Sequence, residues 1–468
     1  MWYDGRMFPG NPLRRTIQLV LLLLIGFPLI AVSLVPGSRF EDPNASQTML
    51  AERDFTKELT DSEQISADQL ELHLTTMGKG DPLYVWFGHT GLVVTDKRND
   101  RSVMYDYGIF SFDDDFYQTF AMGRLNYEVW ATSAEARYEL AGSENRDISN
   151  ITLHLPDAAK LELVRFLNYN IQPENSTYLY HYYRENCSTR IRDMIDKAVD
   201  GQFQAWARAI PMDETLRQLV MRHTYASPFV DWTLNFLQSG SIDKPISLWE
   251  AMFLPAILEQ ALLDFSYIDG SGHEVPIATD RRNINSAPVG ARAPVLDSFQ
   301  SMTLPGFWFG LLAGLVSLFF GRAIGSSQSN GLRRFGQLVD GLLGFVWAMA
   351  VGILSSLLLF MMVASSHDVT YFNENIVFAT PWALVMAVQS LRGAFGKDTA
   401  RRRFRHANTI VAILVGTTIV MKVIFLDLLV QQNWQILLTL LPMYLCNSSI
   451  PFERLFERKK RVLDDSDW

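Results

Sequence analysis

The chain has 468 residues, a formal net charge of −9 and 48% hydrophobic residues at a mean hydropathy of +0.06, a length that accommodates two or three domains. Those averages conceal two regions, since residues 37–300 are mixed and polar while residues 302–450 consist largely of long apolar runs. With no basic surface pattern, no glycine-rich phosphate loop, no internal repeat and no low-complexity tract, neither nucleic acid nor a nucleotide is an expected partner.

In chain order, the first element is an apolar run from Leu19 to Val35. It exceeds the roughly 7–15 residues of a signal-peptide core, and Ala31-Val32-Ser33 makes a poor cleavage site, so residues 16–35 are read as an uncleaved membrane anchor. Residues 37–80 carry Pro, Ser and acidic residues, and Asp61 to Leu72 reads as a short helix leading into a domain. From Leu83 the pattern changes to strand. Leu83–Phe87, Leu92–Thr95, Ser102–Tyr107 and Asn126–Ala131 are rich in Val, Tyr, Trp and Phe, with Lys97-Arg98-Asn99-Asp100 as a hairpin turn. Ile151–Leu155 is a further strand candidate. Asp157 reads as the N-cap of a helix over Ala158–Asn170. After an aromatic run from Tyr178 to Tyr183, a second helix opens near Asn186 and buries Ile191, Met194, Ile195 and Ala198. The outer domain is therefore expected to be α+β.

Beyond residue 300, five more segments approach the roughly 20 apolar residues that cross about 30 Å of hydrocarbon: 302–321, 337–364, 374–391, 409–430 and 434–450. Orientation follows from Lys and Arg in the short loops. Arg6, Arg14 and Arg15 precede the first span, Arg322, Arg333 and Arg334 follow the second, and Arg392, Lys397, Arg401, Arg402, Arg403 and Arg405 follow the fourth. Arg454, Arg458, Lys459, Lys460 and Arg461 follow the last, whereas loops 365–373 and 431–433 hold neither Lys nor Arg. The expected topology is a bacterial inner-membrane protein with six transmembrane helices and both termini cytoplasmic. Its parts are a cytoplasmic start and anchor (1–36), a periplasmic domain (37–300), an all-α five-helix membrane domain (301–450) and a basic cytoplasmic tail (451–468). Lys422 and Asp427, in the outer half of the fifth span, are costly there and are expected to be paired or water-facing. Their five-residue spacing suits a mutual pair poorly.

Two cysteines occur, Cys187 in the outer domain and Cys446 near the cytoplasmic end of the last span. In this topology they occupy different compartments and cannot pair. An unpaired cysteine outside the cytoplasm points either to an intermolecular bond or to a reactive thiol. In the first turn of a helix Cys187 faces free N–H groups and the positive end of the helix dipole, which favour thiolate and suit an oxyanion. The alternative is a small residue packing under the aromatic run. A thiol nucleophile needs a base. His89, within Phe87-Gly88-His89-Thr90-Gly91, interrupts a strand with glycines that let a substrate approach; a solvent-facing strand histidine is the alternative. Asp106, on the neighbouring strand, is the candidate to orient the imidazole, against a plain surface carboxylate. No His/Cys/Asp cluster has metal-ligand spacing, and no cofactor is implied.

The order of a histidine on an early strand and a cysteine at a later helix start resembles the circularly permuted papain-like (NlpC-type) fold, which includes lecithin–retinol acyltransferase relatives. The segments Trp86-Phe87-Gly88-His89-Thr90-Gly91, Tyr105-Asp106-Tyr107-Gly108-Ile109-Phe110, Asn186-Cys187-Ser188-Thr189-Arg190-Ile191-Arg192-Asp193 and Phe253-Leu254-Pro255 resemble the periplasmic domain of Lnb-type lipoprotein N-acyltransferases. His367 to Pro381, with Asp368, Asn373, Glu374 and Asn375, resembles that family's motif at the outer mouth of its spans. The resemblance covers residues 80 to about 395. It implies an enzyme that moves an acyl chain from a membrane phospholipid, through a cysteine thioester, to the N-terminal amine of a bacterial lipoprotein. Residue by residue, it makes Cys187 the nucleophile and His89 the general base and later the acid; Asp106 as orienter rests on the strand reading alone. Arg190 or Arg192 is expected to meet a phosphate headgroup; helix arginines that pair with neighbouring acids are the alternative. His367, Asn373 and Asn375 are expected to dock a headgroup or close the cleft; a bland polar loop is the alternative. A thiol hydrolase acting on peptidoglycan peptides or phospholipid esters, and a non-catalytic envelope protein, are the competing readings.

Overall fold

The computed structural model describes residues 66–81, 83–110, 116–291, 295–425 and 428–450. The anchor at 16–35, the tail at 451–468 and Asp427 lie outside the described residues. The chain forms two compact units, one running to Ser227 and resuming over Lys244–Gln300, the other made of Pro228–Asp243 and the residues from Ser301 onward. The segment 228–243, expected in the outer domain, thus belongs with the helical unit.

The first unit is α+β. Its strands are β1 (Leu70–Met77), β2 (His89–Asp96), β3 (Arg101–Ile109), β4 (Asn126–Ser133), β5 (Ile148–Leu153), β6 (Thr177–Leu179) and β9 (Ala278–Asn285), with a small separate ribbon of β7 (Ser266–Ile268) and β8 (Glu274–Pro276). The seven-stranded sheet runs β6-β4-β3-β2-β1-β5-β9, antiparallel throughout. Its helices are α1 (Phe116–Ala121), α2 (Ala134–Ser143), α3 (Asp157–Asn170), α4 (Cys187–Ala198), α5 (Gln202–Arg208), α6 (Leu216–Thr224), α8 (Leu248–Ala251) and α9 (Pro255–Asp264).

The two-residue period of a strand sorts side chains between the faces of the sheet. Leu72, Leu74, Leu92, Val94, Val103, Tyr105, Tyr107 and Ile151 build one core with Leu163 and Leu167 of α3, Ile191 and Ile195 of α4, Phe203 of α5 and Leu258 and Leu262 of α9. Met77, Val93, Met104 and Ile148 face the other way and pack under Ala134 and Ala141 of α2. The register pairs Val93 with Met104 and Gly91 with Asp106, so His89, Gly91, Val93, Met104 and Asp106 share the face that α2 covers.

Three expectations are corrected here. Asp61–Leu72 is not a helix where described: Ala67–Gln69 is a single 3₁₀ turn, and Leu70 already begins β1. Leu83–Phe87 is not a strand but holds a 3₁₀ turn, Leu83–Val85, tied by the Trp86 indole donating to Asp81 O at 2.8 Å. The helix from Asp157 is capped by Pro156 without a side-chain bond, not by Asp157.

In the second unit, α7 (Pro228–Leu237) precedes α10 (Thr303–Leu318), α11 (Asn330–Ala364), α12 (Ala383–Ala394), α13 (Asp398–Ile424) and α14 (Trp434–Cys446). Three helices among the described residues are long and apolar enough to cross a membrane: Thr303–Ile324, in which a π-turn extends α10, then α11 and α13. The spans expected over 374–391 and 434–450 contain helices of only 12 and 13 residues, about 18–20 Å at 1.5 Å per residue. Asn373 caps a 3₁₀ turn over Glu374–Val377, and the helical stretch begins only after Pro381. Lys422, fully buried on α13, pairs with Glu374 at 2.6 Å and donates to the carbonyls of Leu429 and Gln431 at 2.9 and 2.7 Å. Its partner is thus the first acid of that turn.

Candidate active site

The site is assembled where α4 begins. Asn186 fixes that point: its Oδ1 accepts from the N–H groups of Ser188 and Thr189, both at 2.9 Å, while its own N–H donates to Thr189 Oγ1 at 2.8 Å. This reciprocal cap satisfies the helix-end donors. The Asn186 amide donates in turn to Tyr182 O at 3.0 Å and Phe253 O at 2.9 Å, and Ser188 Oγ to Met252 O at 2.8 Å. Cys187 is thereby held as the first helical residue, packed at the edge of the main core.

His89 opens β2 immediately after Gly88, whose φ of +81° favours glycine and where a Cβ would lie 2.9 Å from Met77 O. His89 Nε2 hydrogen-bonds Asp106 Oδ1, and Asp106 Oδ2 accepts from Arg137 Nε of α2 at 2.7 Å. With Nε2 occupied, Nδ1 is the nitrogen left for the Cys187 thiol. The thiol also receives the backbone N–H of Thr90.

Burial alone would strip His89 of its proton, yet the buried charge of Asp106 and that of Cys187 raise its pKa to about 9. Burial pushes the Cys187 thiol up, but the His89 charge and hydrogen bond, with the Thr90 N–H, bring it below its ordinary value. For Asp106, burial is overcome by His89 and Arg137, and its carboxyl stays well below the usual carboxylate range. The two groups thus favour each other's charged forms, imidazolium at His89 and thiolate at Cys187. His89, expected as base and later acid, is thus placed to hold a proton beside the thiol.

Aromatic side chains line the site. Gly108 (φ +93°), at a register shift in β3, lies where a Cβ would meet Cys187 Cβ at 3.7 Å, Tyr180 at 3.8 Å and Tyr178 Oη at 3.9 Å. Tyr180 stacks on Tyr127 at 4.3 Å between ring centroids, and Tyr127 on Phe110 at 4.9 Å.

The other expected binding residues make contacts within the protein. Arg190 pairs with Glu185 at 3.0 Å and lies over the Tyr178 ring at 4.2 Å. Arg192 is buried over Trp249 at 3.8 Å, donating to Trp249 O and pairing with Asp193, both at 2.7 Å. Its guanidinium is committed to the core and not presented to a headgroup. His367, Asn373 and Asn375 lie in the second unit and are buried rather than displayed on an open loop. Asn373 Nδ2 donates to Phe236 O and Leu237 O at 3.0 Å, and Asn375 Nδ2 to Phe236 O at 2.9 Å. Both amides close the end of α7.

Arg137 escaped the sequence reading. Ala134-Glu135-Ala136-Arg137 carries no motif, and only the path of α2 across the sheet brings that guanidinium to Asp106. Among the described residues no group of three or more His, Cys, Asp or Glu side chains is arranged to hold a metal ion. Both cysteines are free thiols.

Comparison with curated proteins and with solved structures returned no match. Residues 57–222 match the family model of the Lnb N-terminal periplasmic domain, a stretch that contains Cys187, His89, Asp106 and Arg137. With three apolar helices downstream, the protein is a membrane protein with a periplasmic part, and residues 57–222 of it form an Lnb N-terminal periplasmic domain.

Proposed function

We propose that this protein is a thiol acyltransferase that transfers an acyl chain from a membrane phospholipid to the N-terminal amine of a bacterial lipoprotein. The observation that carries the reading is the buried chain of contacts from Cys187 to His89 to Asp106 to Arg137. It is the composition of an activated thiol: a nucleophile lowered by its base, and a base oriented by a third group.

In the first half-reaction the Cys187 thiolate attacks the carbonyl carbon of a phospholipid ester. The tetrahedral oxyanion collapses, the C–O bond breaks, and the departing alkoxide takes the His89 proton, leaving a thioester and a lysophospholipid. In the second, the lipoprotein amine attacks the thioester and gives its proton to the now neutral His89. The C–S bond breaks and the thiolate–imidazolium pair is restored. No ATP is consumed, because the thioester retains enough activation to acylate an amine. Both substrates are anchored in the bilayer, so tethering the thiol domain to apolar helices favours encounter. The same reading takes the fold as a permuted papain-like one in the inner membrane, with six spans and both termini cytoplasmic.

The test is capture of the intermediate. Membranes containing the wild-type protein should carry an acyl group on Cys187 that hydroxylamine releases, and Cys187→Ala should carry none. Lipoproteins from the producing cells should gain an amide-linked acyl chain by mass spectrometry. A labile thioester that yields only free fatty acid marks a hydrolase, and a fully active Cys187→Ala would end the enzymatic reading.

A further inference from the structure

A thiolate attacking a carbonyl needs a donor for the oxygen that becomes charged, worth about 10²–10³ in rate when a single donor is removed. The N-terminus of α4 is the obvious source, yet its N–H groups are largely spent. Those of Ser188 and Thr189 donate to Asn186 Oδ1, and that of Arg190 to Asn186 O. This leaves the N–H of Cys187 itself from that turn, while the N–H of Thr90 already serves the sulfur.

Two buried hydroxyls of residues around the sulfur have no hydrogen-bond partner, Thr90 Oγ1 and Tyr178 Oη, and only the second is also one of the atoms around the space beside Gly108. Tyr178 lies on β6, paired with Tyr127 of β4. Its hydroxyl is shut off from solvent and has no hydrogen-bond partner. Nearby buried tyrosines are satisfied: Tyr107 donates to Asn170 Oδ1 at 2.7 Å and Tyr105 to Asn168 Oδ1. A buried hydroxyl left unpaired is destabilising, and a partner that arrives with the reaction would satisfy it. The position Gly108 would give a Cβ lies within 4 Å of both Tyr178 Oη and Cys187 Cβ. Glycine keeps that space open for a carbonyl group. The Tyr178 ring is itself fixed, with the Arg190 guanidinium 4.2 Å above it and Tyr107 edge-on at 6.0 Å.

We propose that the Tyr178 hydroxyl is a catalytic hydrogen-bond donor, stabilising the oxyanion that forms as the Cys187 thiolate adds to the ester carbonyl. The inference rests on the thiol reading above and names a further member of the same site. During addition the carbonyl π electrons move onto oxygen and Tyr178 Oη–H donates to it; when the C–O bond to the lysophospholipid breaks, those electrons return and the hydroxyl is released unchanged. Burial holds the Tyr178 proton far above the ordinary phenol range, so it donates without being transferred.

Tyr178→Phe removes one oxygen and keeps the ring. Two rates at Cys187 are compared in the full-length protein in detergent: thioester formation from phosphatidylethanolamine in mixed micelles, and alkylation by iodoacetamide. Alkylation is a displacement at a saturated carbon that needs thiolate but forms no oxyanion. Tyr178→Phe should slow thioester formation by about 10²-fold and leave the alkylation rate, its pH midpoint and the Tm unchanged or the Tm slightly raised. Unchanged thioester formation, or an equal fall in both rates, would overturn the role of Tyr178 while leaving Cys187 as nucleophile. A wild-type protein that forms no thioester would overturn both.

Discussion

Burial ordinarily removes the proton from an imidazole and keeps it on a thiol; at His89 that tendency is reversed by Asp106 and Cys187, and at Cys187 by His89 and the Thr90 N–H, although the Asp106 charge opposes it there. The consequence is a particular pH dependence. Cys187 is lowered, so thiolate persists below the ordinary thiol pKa of about 8.5 and is lost only as pH falls through the lowered value. His89 is raised to about 9, so its proton is present below that value and lost above it. Thioester formation needs both the thiolate and the imidazolium proton and should therefore be bell-shaped, with its alkaline limb near 9. Alkylation by iodoacetamide needs thiolate alone and should show only the acid limb. Measuring both profiles on one preparation checks this; an alkaline limb in both, or in neither, contradicts the assignment. The residues of this pair were legible because a lone extracytoplasmic cysteine and a glycine-flanked histidine are unusual in sequence. Arg137 was not legible, since nothing along the chain distinguishes a guanidinium aimed at Asp106 from one facing solvent.

Among the elements, α4 announces itself most fully, because its cap and its buried Ile191 and Ile195 are local features. Its entry point depends on Asn186 using both halves of its amide. Asn186→Ala should cost about 1–2 kcal/mol for the cap and more for the carbonyls of Tyr182 and Phe253 left behind. Asn186→Asp keeps the acceptor but aims a carboxylate at those two carbonyls, so it should be the more harmful of the two. Thermal unfolding ranks the variants, and iodoacetamide reactivity at Cys187 should fall with both. The elements that misled the reading share one cause, the dominance of pairing over local propensity. Leu70 and Leu72, read as the end of a helix, form strand between β2 and β5. Leu83–Phe87, β-prone in composition, has no strand to join. The largely exposed Arg281–Ile284 stretch of β9 shows no alternation to read. In the helical unit the contacts of α10 and α14 depend on small residues. A Cβ at Gly310 would lie 2.0 Å from Thr439 O, whereas one at Gly331 would touch nothing within 4 Å. Gly310→Ala should therefore destabilise the protein in detergent by about 1–3 kcal/mol, while Gly331→Ala should leave its melting temperature unchanged. Equal effects would show that α10 and α14 do not pack through this face.

At the scale of the whole molecule, the division of the chain differs from the one hydropathy suggests. Polar composition assigns residues 37–300 to one outer domain, yet Pro228–Asp243 is counted with the helical unit. Hydropathy misses this because α7 is short and its partners are distant in sequence. Phe236 is buried with Phe378, Ile436 and Leu440. The α7 end is closed not by a following glycine but by side chains more than a hundred residues away: Asn373 and Asn375 on the carbonyls of Phe236 and Leu237, and Gln431 on that of Gln238 at 3.0 Å. Asn235 and Asp231 hydrogen-bond Gln435 at 2.7 and 3.0 Å. A fragment ending at residue 300 loses all of these partners together. Its terminal carbonyls would have to find water, and the faces of Trp232, Phe236 and Leu237 would be uncovered as a contiguous apolar patch. The isolated stretch 57–300 should therefore self-associate or require detergent. The same stretch with 228–243 replaced by a Gly/Ser linker should be monomeric and should retain an alkylatable Cys187, because the first unit keeps its own core. Size-exclusion chromatography with and without detergent distinguishes the two. A monomeric 57–300 fragment in which 228–243 resists protease would show instead that this segment folds without the helices it is packed among.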